Sequence, residues 1–342
     1  MRHPGGGTIL QFLTAGSISE CEPSVRNTVS SPSYFLINWS RYCWARTLFV
    51  GGPDCVCSDQ LFRDYLLKLE HNRAEPIYHP RSYGYQMDDS SGTQTQPRIY
   101  TAPRTEISQN QGKFRIHFNF PGRVLPDHDD HGYGPLATVV ESFMDPGTLI
   151  RMHQHRNEEI ISWVPDGVMR HEDRQNNSLV TDRDHLMVMN AGSGFWHAEE
   201  TYEDDPPLRM LQIFVRPHTL DLEPTIQHEP IPDSMPNTWR HLFGPDDSDA
   251  PLFVRNDVHF YDCQLDAGRT VRLPSHSDWD TYVYVFEGAV TADDGAVTLG
   301  YTESGLVTDE GEVSVTASED SILVAFCVDP DAQITRQGTI GR

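Results

Sequence analysis

The sequence predicts an all-β fold, two β-barrels in tandem, preceded by an N-terminal extension of different character. Three observations carry this expectation. Glycine and proline are frequent, 25 and 24 among 342 residues, which suits a chain of many turns better than a helical bundle. From about residue 97 onward, short apolar and β-branched runs alternate with Gly, Pro and Asp at the spacing of sandwiches and barrels. A stretch rich in proline and polar residues, 217–236, then separates two halves of similar length and suits an inter-domain connection.

The expected strands of the first half are 137–143, 159–164, 185–190 and 208–215. Those of the second are 253–265, 281–286, 313–316 and 322–328. A loose echo links the halves: Asp145-Pro146-Gly147 precedes His153, and Asp266-Ala267-Gly268 precedes His276. The expected domains are therefore an extension over 1–96, a first barrel over 97–218 and a second over 219–342. Within the extension, 59–70 has helical spacing of Leu61, Phe62, Tyr65, Leu66 and Leu69. Residues 88–97 are polar and read as a linker.

Charge separates the extension from the rest. The formal net charge is −24. Residues 1–90 hold 9 acidic and 8 basic residues, whereas the remainder holds 41 and 18. A chain adapted to one solvent should not change character so abruptly. Either the first 90 residues are a separate appendage, or the start lies downstream, for example at Met87; the second reading is favoured. The acidic surface disfavours phosphate backbones and anionic lipid, so no direct nucleic-acid or membrane partner is expected. Only two lysines occur, Lys68 and Lys113, beside abundant Asp and Glu. That balance suits a salt-adapted host, where screening relieves self-repulsion. Six cysteines include Cys55-Val56-Cys57, which lacks the second pair of a zinc site. Reduced thiols in a cytoplasmic protein are the simpler reading. No apolar run reaches the roughly 18 residues of a membrane helix, and phosphate-loop, nucleophile-elbow and Rossmann fingerprints are absent.

The chemistry is concentrated in two segments. In the first, Gly147 is followed by His153-Gln154-His155 and Glu159. On a strand, side chains alternate with period two, so both imidazoles share one face. In the second, Gly192-Ser193-Gly194-Phe195-Trp196-His197-Ala198-Glu199 gives His197 and Glu199 the same spacing. Two such strands facing a barrel interior can form a three-histidine, one-carboxylate site with open positions. Such donors suit Fe, Mn, Co, Ni, Cu or Zn. Histidines that merely satisfy one another in a core are the alternative. His128-Asp129-Asp130-His131 reads as solvated loop charge.

Three blocks carry a family resemblance: 152–156 (MHQHR), 167–173 (GVMRHED) and 189–199 (MNAGSGFWHAE). With them, the chain resembles the pirin family over about 98–342, including the bacterial pirin-like quercetinases. The resemblance implies two cupin barrels (double-stranded β-helix, or jelly-roll). It implies one divalent metal, commonly iron, in the first barrel only, with ligands at His153, His155, His197 and Glu199. It also implies a dioxygenase that opens flavonol rings with O2 and releases carbon monoxide, on a small aromatic substrate. A non-catalytic, redox-sensitive regulator and a cupin isomerase are the other functions open to it. In the oxygenase reading Glu199 accepts the substrate proton, with Glu159 in reserve or as hydrogen-bond partner of a metal-bound imidazole. His171, with Asp173, is expected behind the ligands or in the pocket wall. Trp163, Phe195 and Trp196 are candidates to line an aromatic pocket. The sequence departs from the family at Arg183, where a glycine is usual. In the second half only His276 lies near the equivalent place, so no metal is expected there.

Overall fold

A computed structural model of the chain describes residues 98–105, 108–308 and 311–342. The extension over 1–96, its helical segment, the Cys55/Cys57 pair and Met87 lie outside the described residues. Strand β1 (Arg98–Ala102) comes first. The first barrel then uses β2 (Ser108–Asn110), β3 (Phe114–Asn119), β4 (Leu136–Met144), β5 (Leu149–His155), β6 (Glu159–Asp166), β7 (Met169–Asp173), β8 (Ser178–Thr181), β9 (His185–Asn190), β10 (Phe195–Glu200), β11 (Leu208–Val215) and β12 (Thr225–Pro230). The second uses β13 (Arg240–Gly244), β14 (Leu252–Phe253), β15 (Val258–Leu265), β16 (Thr270–Arg272), β17 (Asp280–Glu287), β18 (Val290–Ala292), β19 (Val297–Leu299), β20 (Ser304–Thr308), β21 (Ser314–Ala317) and β22 (Ser321–Val328).

Each barrel is a seven-stranded sheet closed by a four-stranded one. The first has the orders β12-β9-β6-β11-β4-β3-β2 and β5-β10-β7-β8. The second has β1-β20-β17-β22-β15-β13-β14 and β16-β21-β18-β19. Strands β4 to β11 and β15 to β22 therefore repeat one topology, that of two cupin barrels. The short echo in the sequence marks the same turn in each. Gly147 (φ 72°) leads into β5 and Gly268 (φ 76°) leads into β16, both in the left-handed region that glycine tolerates.

Period-two alternation gives each large sheet two apolar faces. On β11, Leu211, Ile213 and Val215 join the core between the barrels, together with Phe260, Tyr284 and Phe326 of the second barrel. Between them, Phe214 joins the first barrel's own core with Phe118, Ile160 and Phe195. The second barrel divides likewise: Val258 and Phe260 of β15 face the shared core, while Cys263 and Leu265 face inward.

A buried polar network crosses the shared core. Glu141 on β4 is fully buried. It accepts hydrogen bonds from Arg104 (2.9 Å), from Arg209 on β11 (2.8 Å) and from the Tyr284 hydroxyl on β17 (3.1 Å). Arg209 also donates to the Phe286 carbonyl at 2.8 Å. Nearby, Trp163 Nε1 donates to Asp262 at 3.0 Å across the same interface.

Three expectations from the sequence change. Strand β1, at the expected start of the first barrel, pairs with β20 in the second. The stretch 217–236 is not a plain connection: it contains β12, which pairs with β9 and completes the first barrel's sheet. The expected strand 253–265 is broken into β14 and β15, because Asn256 turns to donate to the Arg216 and Gln333 carbonyls at 2.7 and 3.0 Å. Arg183 lies in a turn closed by Asp182, whose carboxylate accepts the Asp184 N–H at 3.0 Å. Among the described residues, no helix is long and apolar enough to cross a membrane.

Truncating Glu141 leaves the Arg209 guanidinium with only the half-exposed Glu287 as a carboxylate partner and strips the buried Tyr284 hydroxyl of its acceptor. We expect Glu141→Ala to cost about 3–5 kcal/mol, the range for breaking a buried ion pair from one side. Chemical denaturation read by tryptophan fluorescence measures this; a loss below about 1 kcal/mol, the worth of a surface pair, would show the network to be dispensable.

Candidate metal centre

The site is set by the register of β5 against β10. His153 lies opposite His197, and His155 lies opposite Phe195. One nitrogen from each of His153, His155 and His197 falls within 4.8 Å of the other two, the one such convergence of three donors among the described residues. The register slips between His197 and Glu199. Glu199 consequently stays beside the three nitrogens and is not one of that mutual group.

Hydrogen bonds define which ring nitrogen each histidine presents. Nδ1 of His153 donates to the Arg151 carbonyl at 2.8 Å. Nδ1 of His155 donates to Glu158 Oε1 at 2.5 Å. Nε2 of His171 donates to Asp173 at 3.2 Å, so its Nδ1 accepts from Nδ1 of His197 at 3.4 Å. Each of the three thus carries its proton on Nδ1 and turns an Nε2 lone pair free for coordination. Nε2 of His197 is buried and has no hydrogen-bond partner, a costly state in an apolar surround unless something binds it.

The electrostatics agree. Burial first, then the neighbouring His155, lowers the His153 pKa to about 4. Burial, with His153, His155 and His171 adding to it, holds His197 well below the usual histidine range. Burial raises the Glu199 pKa to about 7, against the opposing effects of His155 and of a 2.8 Å hydrogen bond from Gln212. His153 and His197 resist protonation, Glu199 resists ionisation and Nε2 of His197 is orphaned, a combination that a bound cation would relieve. The residues present fit a divalent cation.

Beside the three histidines opens a cavity of about 790 Å³. Phe114, Ile116, Phe118, Val140 and Phe214 supply its apolar wall, and His153, His155, Glu199 and Gln212 its polar one. Lys113, Gln109, Gln111 and Arg151 also line it, as do Thr339 and Ile340 from the last described segment.

Several residues singled out in the sequence lie elsewhere. Trp163 packs edge-on against Phe260 and Phe286 in the shared core. Phe195 is buried in the first barrel's core. Trp196 points the other way on β10, where the Arg174 guanidinium covers its ring at 3.8 Å. None of the three lines the cavity. His171 lies behind His197, as one of its two expected places, with Asp173 fixing it. Glu159 does not reach the imidazoles; Arg255 donates to it at 2.9 Å, and Asn190 holds its other oxygen. The carboxylate that meets His155 is its neighbour Glu158, which the sequence reading missed. The adjacent Glu158-Glu159 pair was the available signal, since either carboxylate could serve a nearby imidazole. His128-Asp129-Asp130-His131 is an ion-pair anchor: burial acts to raise Asp130, but hydrogen bonds from Arg216 and Arg336 hold it well below the carboxylate range. In the second barrel, the strands equivalent to β5 and β10 bury Val271, Val315 and Ala317. His276 there stacks on His259, with centroids 4.2 Å apart, and its Nε2 meets the Tyr261 hydroxyl.

Comparison with known proteins is consistent over both barrels. Residues 102–215 match the family model described as Pirin, and 241–328 match the one described as Quercetinase C-terminal cupin domain. A pirin-like protein of Caulobacter vibrioides is 30% identical over 216 residues, covering 62% of this chain and 90% of that protein. A quercetin 2,3-dioxygenase of Escherichia coli is 24% identical over 199 residues, covering 58% and 84%. Among solved structures, the bacterial pirin YhhW of Escherichia coli in complex with nickel(II) has a TM-score of 0.59 at 21% identity, covering 68% of this chain and 99% of that one.

Two outcomes test the site. His155→Ala removes a donor outright, so its metal affinity should fall by more than the roughly 10–100-fold typical of losing an outer partner. Full metal occupancy in that variant, measured by elemental analysis, would contradict the donor set. The second concerns protons. Burial raises the Glu199 pKa to about 7, so toward lower pH its carboxyl holds a proton that a cation must displace. Metal affinity should therefore fall as pH drops from about 7 toward 6. Calorimetry in buffers of differing ionisation enthalpy should detect the released proton in wild type and not in Glu199→Gln.

Proposed function

This chain belongs to the pirin family, and on that premise we propose that it is a metal-dependent dioxygenase acting on quercetin-like flavonols or related enols and phenols with O2. The observation that carries the reading is the position of the cavity. A chamber of about 790 Å³ with an aromatic wall opens directly onto His153, His155 and Glu199. That is the size and lining of small-molecule sites. A purely redox-sensing regulator would need no such chamber at its metal.

We assign the metal to His153, His155 and His197, with Glu199 completing the set, and Fe(II) as the ion. A bound divalent cation there supplies positive charge that favours the deprotonated form of a hydroxyl placed beside it. The chain's own residues do the rest. Phe114, Phe118 and Phe214 offer flat apolar contact to an aromatic ring and keep water from it. Gln212 holds Glu199 Oε1, which leaves Oε2 to receive the substrate's hydroxyl proton. Holding substrate and O2 together in one pocket supplies the orientation that a two-reactant step requires.

Metallated protein mixed with quercetin in air should bleach the flavonol absorbance and release carbon monoxide. Fully metallated protein that leaves a panel of flavonols and catechols untouched would overturn the proposal. Glu199→Gln should lower kcat by roughly 10²–10⁴-fold, the contribution of a positioned base.

A further inference from the structure

We infer that residues 338–342 are part of the metal centre, and that Glu158 is the positioning residue through which they act on His155. The inference rests on the metal site proposed above.

Glu158 follows a left-handed turn at Asn157 (φ 52°) and is fully buried. A buried carboxylate needs partners for both oxygens. Oε1 takes the Nδ1 proton of His155 at 2.5 Å. Oε2 takes the backbone N–H of Ile340 at 2.8 Å and of Gly341 at 2.7 Å. One carboxylate thus ties a proposed metal ligand to a segment more than 180 residues away in sequence. The tie is reinforced next to the ligand. Arg156 N–H donates to Thr339 Oγ1 at 2.9 Å, and Thr339 N–H donates to the Arg156 carbonyl at 3.2 Å. The close approach has a sequence requirement: a Cβ at Gly338 would lie 2.9 Å from Glu158 Oε2. The same segment places Ile340 in the cavity wall.

The consequence follows from hydrogen bonding to metal-bound imidazoles. A carboxylate on Nδ1 fixes the tautomer, orients the ring and raises the basicity of Nε2. Glu158 can do this only while its own orientation is held, and the two backbone N–H groups hold it. Binding free energies couple in both directions. A cation on His155 therefore tightens the docking of 338–342, and loosening that segment weakens the cation.

The test uses the full chain and Ni(II) alone as probe. Ni(II) should slow amide hydrogen exchange at Ile340 and Gly341 by about tenfold, and Glu158→Gln should bind Ni(II) roughly 10–100-fold more weakly with unchanged far-UV circular dichroism. Gly341→Pro removes one of the two N–H donors from the segment's side and leaves the Glu158 carboxylate in place, so it tests the same tie independently of the first variant. It should also weaken Ni(II), and in both variants exchange in the segment should no longer respond to the ion. Ni(II) bound equally by wild type and both variants, with exchange at 340 and 341 indifferent to it, would overturn this inference alone. Wild-type protein that takes up no Ni(II) would overturn the metal assignment, and this inference with it.

Discussion

The large sheet of the first barrel has little free face, and most of the architecture follows from that constraint. Its strands bury alternate residues in two separate cores. Leu211, Ile213 and Val215 of β11 pack against the second barrel, while Gln212 and Phe214 line the cavity. A strand that is buried on both sides cannot slide by one residue without moving every side chain into the wrong core. The inter-barrel core thereby fixes the register of the strand that carries Gln212, and Gln212 in turn fixes Glu199. The second barrel contributes no donor to the three-histidine group, yet it supports the rigid surface against which the group is assembled.

The site itself is an arrangement of groups that are individually uncomfortable. His153 and His197 are too buried to carry a proton readily, and Glu199 is too buried to lose one readily. Burial of this kind is destabilising unless it is used, and perturbed titration in a cavity is a sign of use. The hydrogen bonds behind the imidazoles have the same sense throughout. Arg151, Glu158 and the Asp173–His171 pair each engage a ring at Nδ1, so that every Nε2 is oriented from behind.

Much of this was legible in the sequence, for physical reasons that can be named. His-x-His and His-x-Glu announce a shared face because the strand period is two, and β5 and β10 honour it. The barrels themselves were legible from turn residues between short apolar runs; β9 and β11 fall on the residues expected. Trp163 was not legible, because a two-faced sheet offers it a core on either side, and the sequence does not say which. Glu158 and Glu159 show the same limit more sharply. One carboxylate meets His155 and the other meets Arg255, and the choice depends on the turn at Asn157 and on partners about 180 and 96 residues distant. The destinations of β1 and of 338–342 were likewise hidden, since partners so distant in sequence leave no local signature.

Those two segments have a bearing on how the molecule is made. Strand β1 is completed by β20, roughly two hundred residues later, and the first barrel receives its last wall from 338–342. The wall of the first barrel is therefore complete only after the second barrel has been synthesised. Such long-range closure slows folding and leaves unpaired strand edges exposed in the interim. Synthesis interrupted between the barrels would yield not a working half but a sheet with open edges, prone to self-association.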